Sequence, residues 1–145
     1  MADRRGRPPL FILVPPEQDE HELQESVTGM LHIILLPDVQ WTSVDHSHSI
    51  NMQLGRNGRP IGLIEAGKRK RRGIKPGIWD ILLWRLGQGY AIELKVGNND
   101  LSDDQETFGE GLIRAGVKLK VCWNKDQVFD TVVGWGLTRP MRVAA

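Results

Sequence analysis

Residues 78–96 read IWDILLWRLGQGYAIELKV, and this stretch decides the fold. It contains two strand-like runs, Ile78 to Arg85 and Tyr90 to Val96, which are separated by the glycine-bearing segment Leu86-Gly87-Gln88-Gly89. Two apolar runs joined by a short glycine-containing segment are typical of a β-hairpin. We therefore predict that the two runs pair as neighbouring strands of a sheet.

Charged side chains are predicted to gather on one face of this hairpin. Successive side chains of a strand point to opposite faces, so Glu93 and Lys95 share one face while their apolar neighbours take the other. If the strands pair, Asp80 approaches the charged face, which makes a pocket with two carboxylates and one ammonium. The alternative is an exposed strand that carries an ordinary ion pair, because Glu-x-Lys is common in sheets.

The charged pocket is suited to a divalent cation. Two carboxylates about 5 Å apart repel each other by roughly 3 kcal/mol at an effective dielectric constant of about 20, a large fraction of the stability of a small domain. A bound divalent cation removes that repulsion and lets a polyanion approach. Oxygen ligands without a thiolate or a clear imidazole set favour Mg²⁺ or Mn²⁺ over Zn²⁺. Such a pocket suits metal-assisted cleavage of a phosphodiester bond.

Length and composition bound the class of protein. The chain has 145 residues, of which 40% are hydrophobic, enough for one domain with a buried core. We expect a flexible N-terminal arm at 1–16, a single domain at 17–136 and a tail at 137–145. The single cysteine, Cys122, excludes an internal disulfide framework and is expected in the core. The apolar stretches are too short to span a bilayer, so a soluble cytoplasmic protein without a membrane partner is expected.

Positive charge is concentrated just before Asp80, although the net charge of the chain is only +1. Five consecutive cations can neutralise phosphates and supply affinity that does not depend on sequence. The alternative is a basic face that is simply solvated. The predicted nucleic-acid-binding residues are Lys68, Arg69, Lys70, Arg71, Arg72 and Lys75.

The remaining elements predict an α/β fold. Apolar residues recur at helical spacing from about Gln18 to Leu36, and Pro37 stops that run. Residues 51–70 are glycine-rich and ambiguous, with a short helix ending near Gly73 as one interpretation. The other predicted elements are a strand at 39–44, a helix at 103–115, a strand at 117–123 and a helix at 125–133. This order implies a mixed central sheet flanked by helices.

Three polar features outside the hairpin have both a structural and a functional interpretation. Ser102 and Gln105 fit the capping box, in which each side chain satisfies a free amide at a helix start. Glu20 borders the apolar face of its helix, either as a favourable anion in the first turn or as an acid with a partner. His46 and His48 are spaced as zinc ligands can be, but no other convincing ligands accompany them, so their role stays open.

Four blocks in chain order resemble the VRR-NUC branch of the PD-(D/E)xK nuclease superfamily. Blocks in register are more specific together than any one motif alone. The family usually carries proline before its aspartate, where this chain has a tryptophan, and the loss of proline leaves the local backbone less constrained. The four blocks are Glu20 with Gln24, Gly73-Ile74-Lys75-Pro76-Gly77-Ile78-Trp79-Asp80, Glu93-Leu94-Lys95 and Leu101-Ser102-Asp103-Asp104-Gln105.

The resemblance implies a restriction-endonuclease-like α/β core and a set of residue roles. Asp80 and Glu93 would be metal ligands, with the Leu94 backbone carbonyl as a third. Glu20 would reach the metal directly or through water. Lys95 would position the attacking water, and Gln105 would orient the water or a phosphate. The implied cofactor is Mg²⁺ or Mn²⁺, with no small-molecule cofactor.

The resemblance also implies a function. Small standalone members of the family look like structure-selective endonucleases of phage and bacteria, and a four-way (Holliday) junction is the DNA substrate most suggested. Paired nicks in such a two-fold symmetric junction need two active sites, hence a homodimer. The alternatives are a nickase or a flap or single-strand nuclease with the same site, a non-catalytic DNA-binding module, and a structural ion-pair hairpin in a protein-interaction domain.

Overall fold

The computed structural model describes residues 19–46, 56, 58 and 61–141. The predicted arm at 1–16, His48 and the last residues of the predicted tail, 142–145, lie outside the described residues. Eight elements follow one another in the described chain: α1 (Glu20–Ile34), β1 (Gln40–Ser43), α2 (Ile61–Arg71), β2 (Ile81–Arg85), β3 (Gln88–Leu94), α3 (Asp103–Arg114), β4 (Lys118–Cys122) and α4 (Lys125–Gly134).

The four strands form one mixed sheet in the order β1-β2-β3-β4. β1 pairs antiparallel with β2, and β2 pairs antiparallel with β3. β3 and β4 run parallel, and the chain crosses between them through α3, as parallel neighbours require. The described chain therefore confirms the predicted α/β class with a mixed central sheet and flanking helices.

The β2–β3 hairpin is tighter than the sequence suggested. Leu86 and Gly87 alone form the turn, with positive φ angles of 49° and 79°, and Arg85 pairs with Gln88. A two-residue turn with both residues in the left-handed region has a twist that matches paired strands. The predicted four-residue turn is wrong because Gln88 and Gly89 continue the ladder. At the other end of the hairpin the strands are shorter than predicted. Asp80 lies just before β2, and Lys95 lies just after β3.

The core lies between one face of the sheet and the helices α1 and α4. The helices contribute Leu23, Val27, Leu31, Val128 and Val132, and the hairpin contributes Ile81, Leu83, Ile92 and Leu94. The predicted apolar face of β3 is thereby confirmed, with Val96 packed against the same cluster. Cys122 is fully buried in this core, as predicted.

Helix α3 covers the opposite face of the sheet. A Cβ built on Gly109 of α3 would lie 3.4 Å from the Leu119 side chain of β4. In the parallel pair, Leu119 is the partner of Ala91, whereas the core residue Leu94 is the partner of Cys122. Because side chains alternate along a strand, Glu93 points to the α3 side, away from the main core.

Two segments complete the packing around the sheet. α2 ends near Gly73, as one interpretation of the sequence proposed, and Gly73 closes it with a positive φ of 85°. At the other end of the chain, Leu137 is buried and its carbonyl accepts a hydrogen bond of 2.9 Å from the Leu36 N–H. The Arg139 N–H donates to the Ile34 carbonyl at 2.8 Å, so packing continues past the predicted domain end at 136.

Helix α1 is the longest helix of the described chain, with 15 residues. Neither it nor another helix among the described residues combines the length and the apolar character needed to cross a membrane.

Candidate active site

Asp80 and Glu93 meet where the β2–β3 hairpin opens, one pair beyond Ile81 and Ile92. The Asp80 N–H donates to Glu93 Oε2 at 3.2 Å, and the Leu94 N–H donates to Asp80 Oδ2 at 2.8 Å. Each carboxylate thus accepts a backbone N–H from the other side of the hairpin, just beyond the last strand pair. This exchange fixes both carboxylates at the end of the hairpin.

Lys95 and Gln105 complete the group on the α3 side. Lys95 Nζ lies 3.2 Å from Glu93 Oε1 and donates to Gln105 Oε1 at 2.8 Å. Gln105 Nε2 donates to Glu93 Oε1 at 2.6 Å, which closes a ring of three side chains. The predicted shared face of Glu93 and Lys95 is confirmed. The alternative of an exposed ion pair is wrong, because Asp80, Glu93 and Lys95 expose only 3%, 0% and 7% of their surface.

The capping box at the start of α3 holds Gln105 in this ring. The Ser102 N–H donates to Gln105 Oε1 at 3.0 Å, and the Gln105 N–H donates to Ser102 Oγ at 3.2 Å, so the predicted capping box is confirmed. The oxygen that caps the helix also accepts from Lys95. The Gln105 side chain therefore caps the helix and also contacts Glu93 and Lys95.

Trp79 anchors α3 next to the carboxylates. Its side chain is buried, and its Nε1–H donates to the Gln105 backbone carbonyl at 3.0 Å. A Cβ on the buried Gly109 would come within 2.9 Å of Trp79 Cζ2, so this helix residue must be small. Gly77 makes a second close approach, because a Cβ there would lie 2.2 Å from the Asp104 carbonyl oxygen. Trp79 and Gly77 thus fix this segment against α3 by close packing.

A cavity of about 550 Å³ opens in front of Asp80. Glu20 and Gln24 of α1 line it together with Asp80, and the Gln24 amide donates to the Val44 carbonyl at 3.4 Å. Four carboxylates border this space, namely Glu20, Glu25, Asp45 and Asp80. The structure therefore brings Glu20 to the same cavity as Asp80, although Glu20 itself is exposed.

His46 is a site residue that the sequence left open. Its Nε2 lies 3.1 Å from Asp80 Oδ1, and 42% of its side chain is exposed in the cavity wall. The contact comes from the end of β1, where the Val44 N–H donates to the Asp80 carbonyl at 2.8 Å. His48, the second member of the suggested zinc pair, lies outside the described residues.

Burial and charge repulsion act together on Glu93. Removal from water and, next, the neighbouring Asp80 carboxylate raise the pKa of Glu93 from 4.5 to about 8. The Lys95 ammonium opposes this shift by attraction and by its hydrogen bond. A cation bound beside Asp80 would favour the ionised form of Glu93, because it would offset the repulsion between the two carboxylates.

The donor chemistry around Asp80 fits a hard divalent cation. The carboxylate residues Asp80 and Glu20 both line this cavity, and Mg²⁺ and Mn²⁺ prefer carboxylate oxygen as a ligand. Glu93 is turned toward protein donors, since Oε1 faces Lys95 and Oε2 accepts the Asp80 N–H. Among the described residues, no three His, Cys, Asp or Glu side chains already surround a common metal position. Leu94, whose carbonyl the resemblance adds, has its side chain in the core.

The basic residues lie on and just after the last turn of α2. Lys68 Nζ is 3.5 Å from Glu65 Oε1, one turn earlier on the same helix, and both side chains are exposed. Arg69 is half-buried, while Lys70, Arg71, Arg72 and Lys75 are exposed. Three of the six predicted phosphate-binding residues, Arg69, Lys70 and Lys75, line a second cavity that His46 also borders.

Comparison of the chain with protein-family models, with curated proteins and with solved structures found no match. The resemblance to VRR-NUC nucleases consequently stays a prediction from motifs. The functional assignment depends on it and on the geometry around Asp80 and Glu93.

Proposed function

We propose that this protein is a Mg²⁺- or Mn²⁺-dependent DNA endonuclease of the VRR-NUC type. The observation that carries the proposal is the group of two buried carboxylates, one buried lysine and one half-buried glutamine at the open end of a hairpin. Burying charged groups this close together lowers the stability of the folded protein. Such groups are therefore expected where they bind a ligand or take part in a reaction. The residue types match those expected for metal-assisted hydrolysis of a phosphodiester.

Each side chain has a role in that reaction. Asp80 and Glu20 would hold the cation in the cavity that they border, with Glu93 and the Leu94 carbonyl as the further ligands suggested by the family pattern. The cation supplies charge neutralisation at the phosphate and a more acidic water. Lys95 would position the attacking water and offset the charge that grows on the phosphate oxygens. Gln105 would keep the lysine in place, as its hydrogen bond of 2.8 Å to Nζ allows.

The proposed reaction is a single in-line displacement. The oxygen of a water molecule bonds to phosphorus, and the bond between phosphorus and the 3′ oxygen breaks. The leaving oxygen takes the electron pair of that bond and ends with a proton, while the water loses one. The products are a 3′-hydroxyl and a 5′-phosphate.

The test is a cleavage assay that reads both metal dependence and product ends. Labelled DNA is incubated with the protein in Mg²⁺, in Mn²⁺ and in chelator, and the product ends are assigned by enzymatic labelling. We expect cuts only with a divalent cation, leaving 5′-phosphates. Cuts of equal rate in chelator, or 3′-phosphate ends, would refute the proposed chemistry.

Branched DNA, with a homodimer acting on it, is the part of the proposal that rests on the family resemblance. A compact domain suits recognition of DNA shape rather than sequence. Cleavage of a mobile four-way junction, a flap, a linear duplex and a single strand should be compared in one series, beside sedimentation of the free protein. Preference for the junction together with a dimer supports a resolvase. Preference for the flap or single strand, or a monomer that nicks duplex, supports the simpler nuclease.

A further inference from the structure

A second cavity adjoins the candidate active site on the side of α2. Its volume is about 530 Å³, within the range of roughly 300–1,000 Å³ that small-ligand pockets occupy. Val44, Asp45 and His46 line this cavity and also the one in front of Asp80. A ligand that fills the second cavity therefore lies next to the cavity of the candidate catalytic carboxylate, with residues 44–46, after β1, forming part of both walls.

The wall of this cavity is mostly apolar, which a groove for phosphates alone does not require. Apolar side chains come from α2, from the residue after β1 and from the segment before Asp80, namely Val44, Ala66, Ile74, Pro76 and Ile78. Ile74 is a large hydrophobic residue that stays 44% exposed. An apolar surface left open beside a basic run indicates a partner with two parts. One part is apolar and flat, and the other carries negative charge.

Three cations surround the apolar wall. Arg69 and Lys70 approach from the last turn of α2 and Lys75 from the following segment. Asp45 contributes the one carboxylate among the described lining residues. Cations around an apolar pocket match the two parts of a nucleotide, since the phosphates need positive charge and the base needs an apolar contact surface.

We propose that this cavity binds one unpaired nucleotide of the DNA substrate. The base lies against Ala66, Ile74 and Ile78, and its flanking phosphates contact Arg69, Lys70 or Lys75. A base that is paired and stacked in duplex is not free to lie against this apolar wall, and extrusion costs least where DNA is already unpaired. The cavity thus selects for branched or single-stranded DNA and places the neighbouring phosphate toward Asp80. This inference rests on the proposed function and gives its structure selectivity a physical cause.

The test measures binding without cleavage. Ca²⁺ replaces Mg²⁺, and fluorescence anisotropy gives the affinity for a duplex with one unpaired nucleotide and for the matched perfect duplex. Ala66→Trp fills the cavity, and Ile74→Asp places a carboxylate on its apolar wall. We expect each variant to weaken binding of the unpaired substrate about tenfold and to leave duplex binding unchanged. Ala115→Trp, a similar change at an exposed alanine at the end of α3, should alter neither affinity.

The cations give an independent arm of the same experiment. Lys75→Ala removes a cation from the cavity, whereas Arg72→Ala removes one that does not line it. Only Lys75→Ala should reduce the preference for the unpaired substrate. If Ala66→Trp and Ile74→Asp, both folded by circular dichroism, lower the two affinities equally or leave both unchanged, the inference is overturned. Cleavage by wild-type protein in Mg²⁺ is scored separately, so loss of this inference is distinguishable from failure of the nuclease proposal.

Discussion

Glu93 accepts the backbone N–H of Asp80, and the Asp80 carboxylate accepts the N–H of the residue after Glu93, with distances of 3.2 Å and 2.8 Å. The two acids are thus tied to each other's strand at the position where the hairpin ladder ends. Each carboxylate is held by the backbone, so both remain at the open end of the hairpin. The strands fix the two carboxyl groups close together, and a bound cation would relieve the repulsion between their ionised forms.

Divalent cations should stabilise the protein through Asp80. We expect Mg²⁺ or Mn²⁺ to raise the melting temperature of the wild type, by an amount equivalent to about 2.7 kcal/mol at a free cation concentration of about 100 times Kd. Asp80→Asn should abolish this gain because it removes a charged ligand. Differential scanning calorimetry measures both. Asp100→Asn, at an exposed aspartate, is the matched control and should keep the gain.

Lys95→Ala should separate cleavage from binding. The lysine contacts Glu93 and Gln105 and is buried, so it contributes little to long-range attraction of DNA. We expect the cleavage rate to fall by roughly 10²–10³-fold, with DNA affinity within about twofold of wild type. Lys125→Ala, at an exposed lysine, should leave both unchanged. Retained cleavage in the folded Lys95→Ala protein would reject the catalytic assignment of this lysine.

Stability in the absence of metal should fall as pH rises because Glu93 is held in the folded state with a raised pKa. The pKa of Glu93 is about 8 in the folded protein against 4.5 as its ordinary value. Between these two values the folded state binds more protons than the unfolded state, so the free energy of unfolding decreases with pH. The total decrease is on the order of a few kcal/mol. Glu93→Gln keeps the shape of the side chain but cannot ionise. The free energy of unfolding of this variant, measured with urea across the same pH range, should lack the decrease that Glu93 causes.

Gly109 should tolerate alanine only when Trp79 is reduced in size. Alanine in a helix is favoured over glycine by about 1 kcal/mol, but a Cβ at 109 would lie 2.9 Å from the tryptophan ring. We expect Gly109→Ala to destabilise the wild type by roughly 1–3 kcal/mol through overpacking. The same change in a Trp79→Leu background should be neutral or stabilising.

Gly111 provides the matched control for the double-mutant cycle that combines Gly109→Ala with Trp79→Leu. A Cβ there would meet only the Arg114 guanidinium at 3.8 Å. Gly111→Ala should therefore stabilise the protein by about 1 kcal/mol in either background. Urea unfolding of the single and double variants measures the coupling, and equal effects of Gly109→Ala with and without the tryptophan would disprove the packing account.

Those features of the site that depend on local sequence were predictable. Alternation along β3 placed Glu93 and Lys95 on one side, and the Ser102 to Gln105 spacing gave the capping box. Each of these patterns lies within a few residues, so backbone geometry alone relates the side chains. The approach of Asp80 to Glu93 across the hairpin followed from one further assumption, that the two runs pair.

The contacts that the sequence missed join segments far apart in the chain. The Trp79 hydrogen bond to the Gln105 carbonyl spans 26 residues, and it depends on how α3 lies on the sheet. The one local signal was a glycine at 109 inside a helix, since such a residue usually has a packing reason. His46 had no signal of this kind, because its approach to Asp80 results from the pairing of β1 with β2.

The central claim is that Asp80 belongs to a hydrolytic centre, and the single-turnover cleavage rate of Asp80→Asn tests it most directly. Saturating protein is mixed with a labelled four-way junction in Mg²⁺, beside wild type and the Asp100→Asn control. The account predicts a rate at least about 10²-fold below wild type for Asp80→Asn, with the control unchanged and junction affinity retained. An Asp80→Asn rate within twofold of wild type would contradict it.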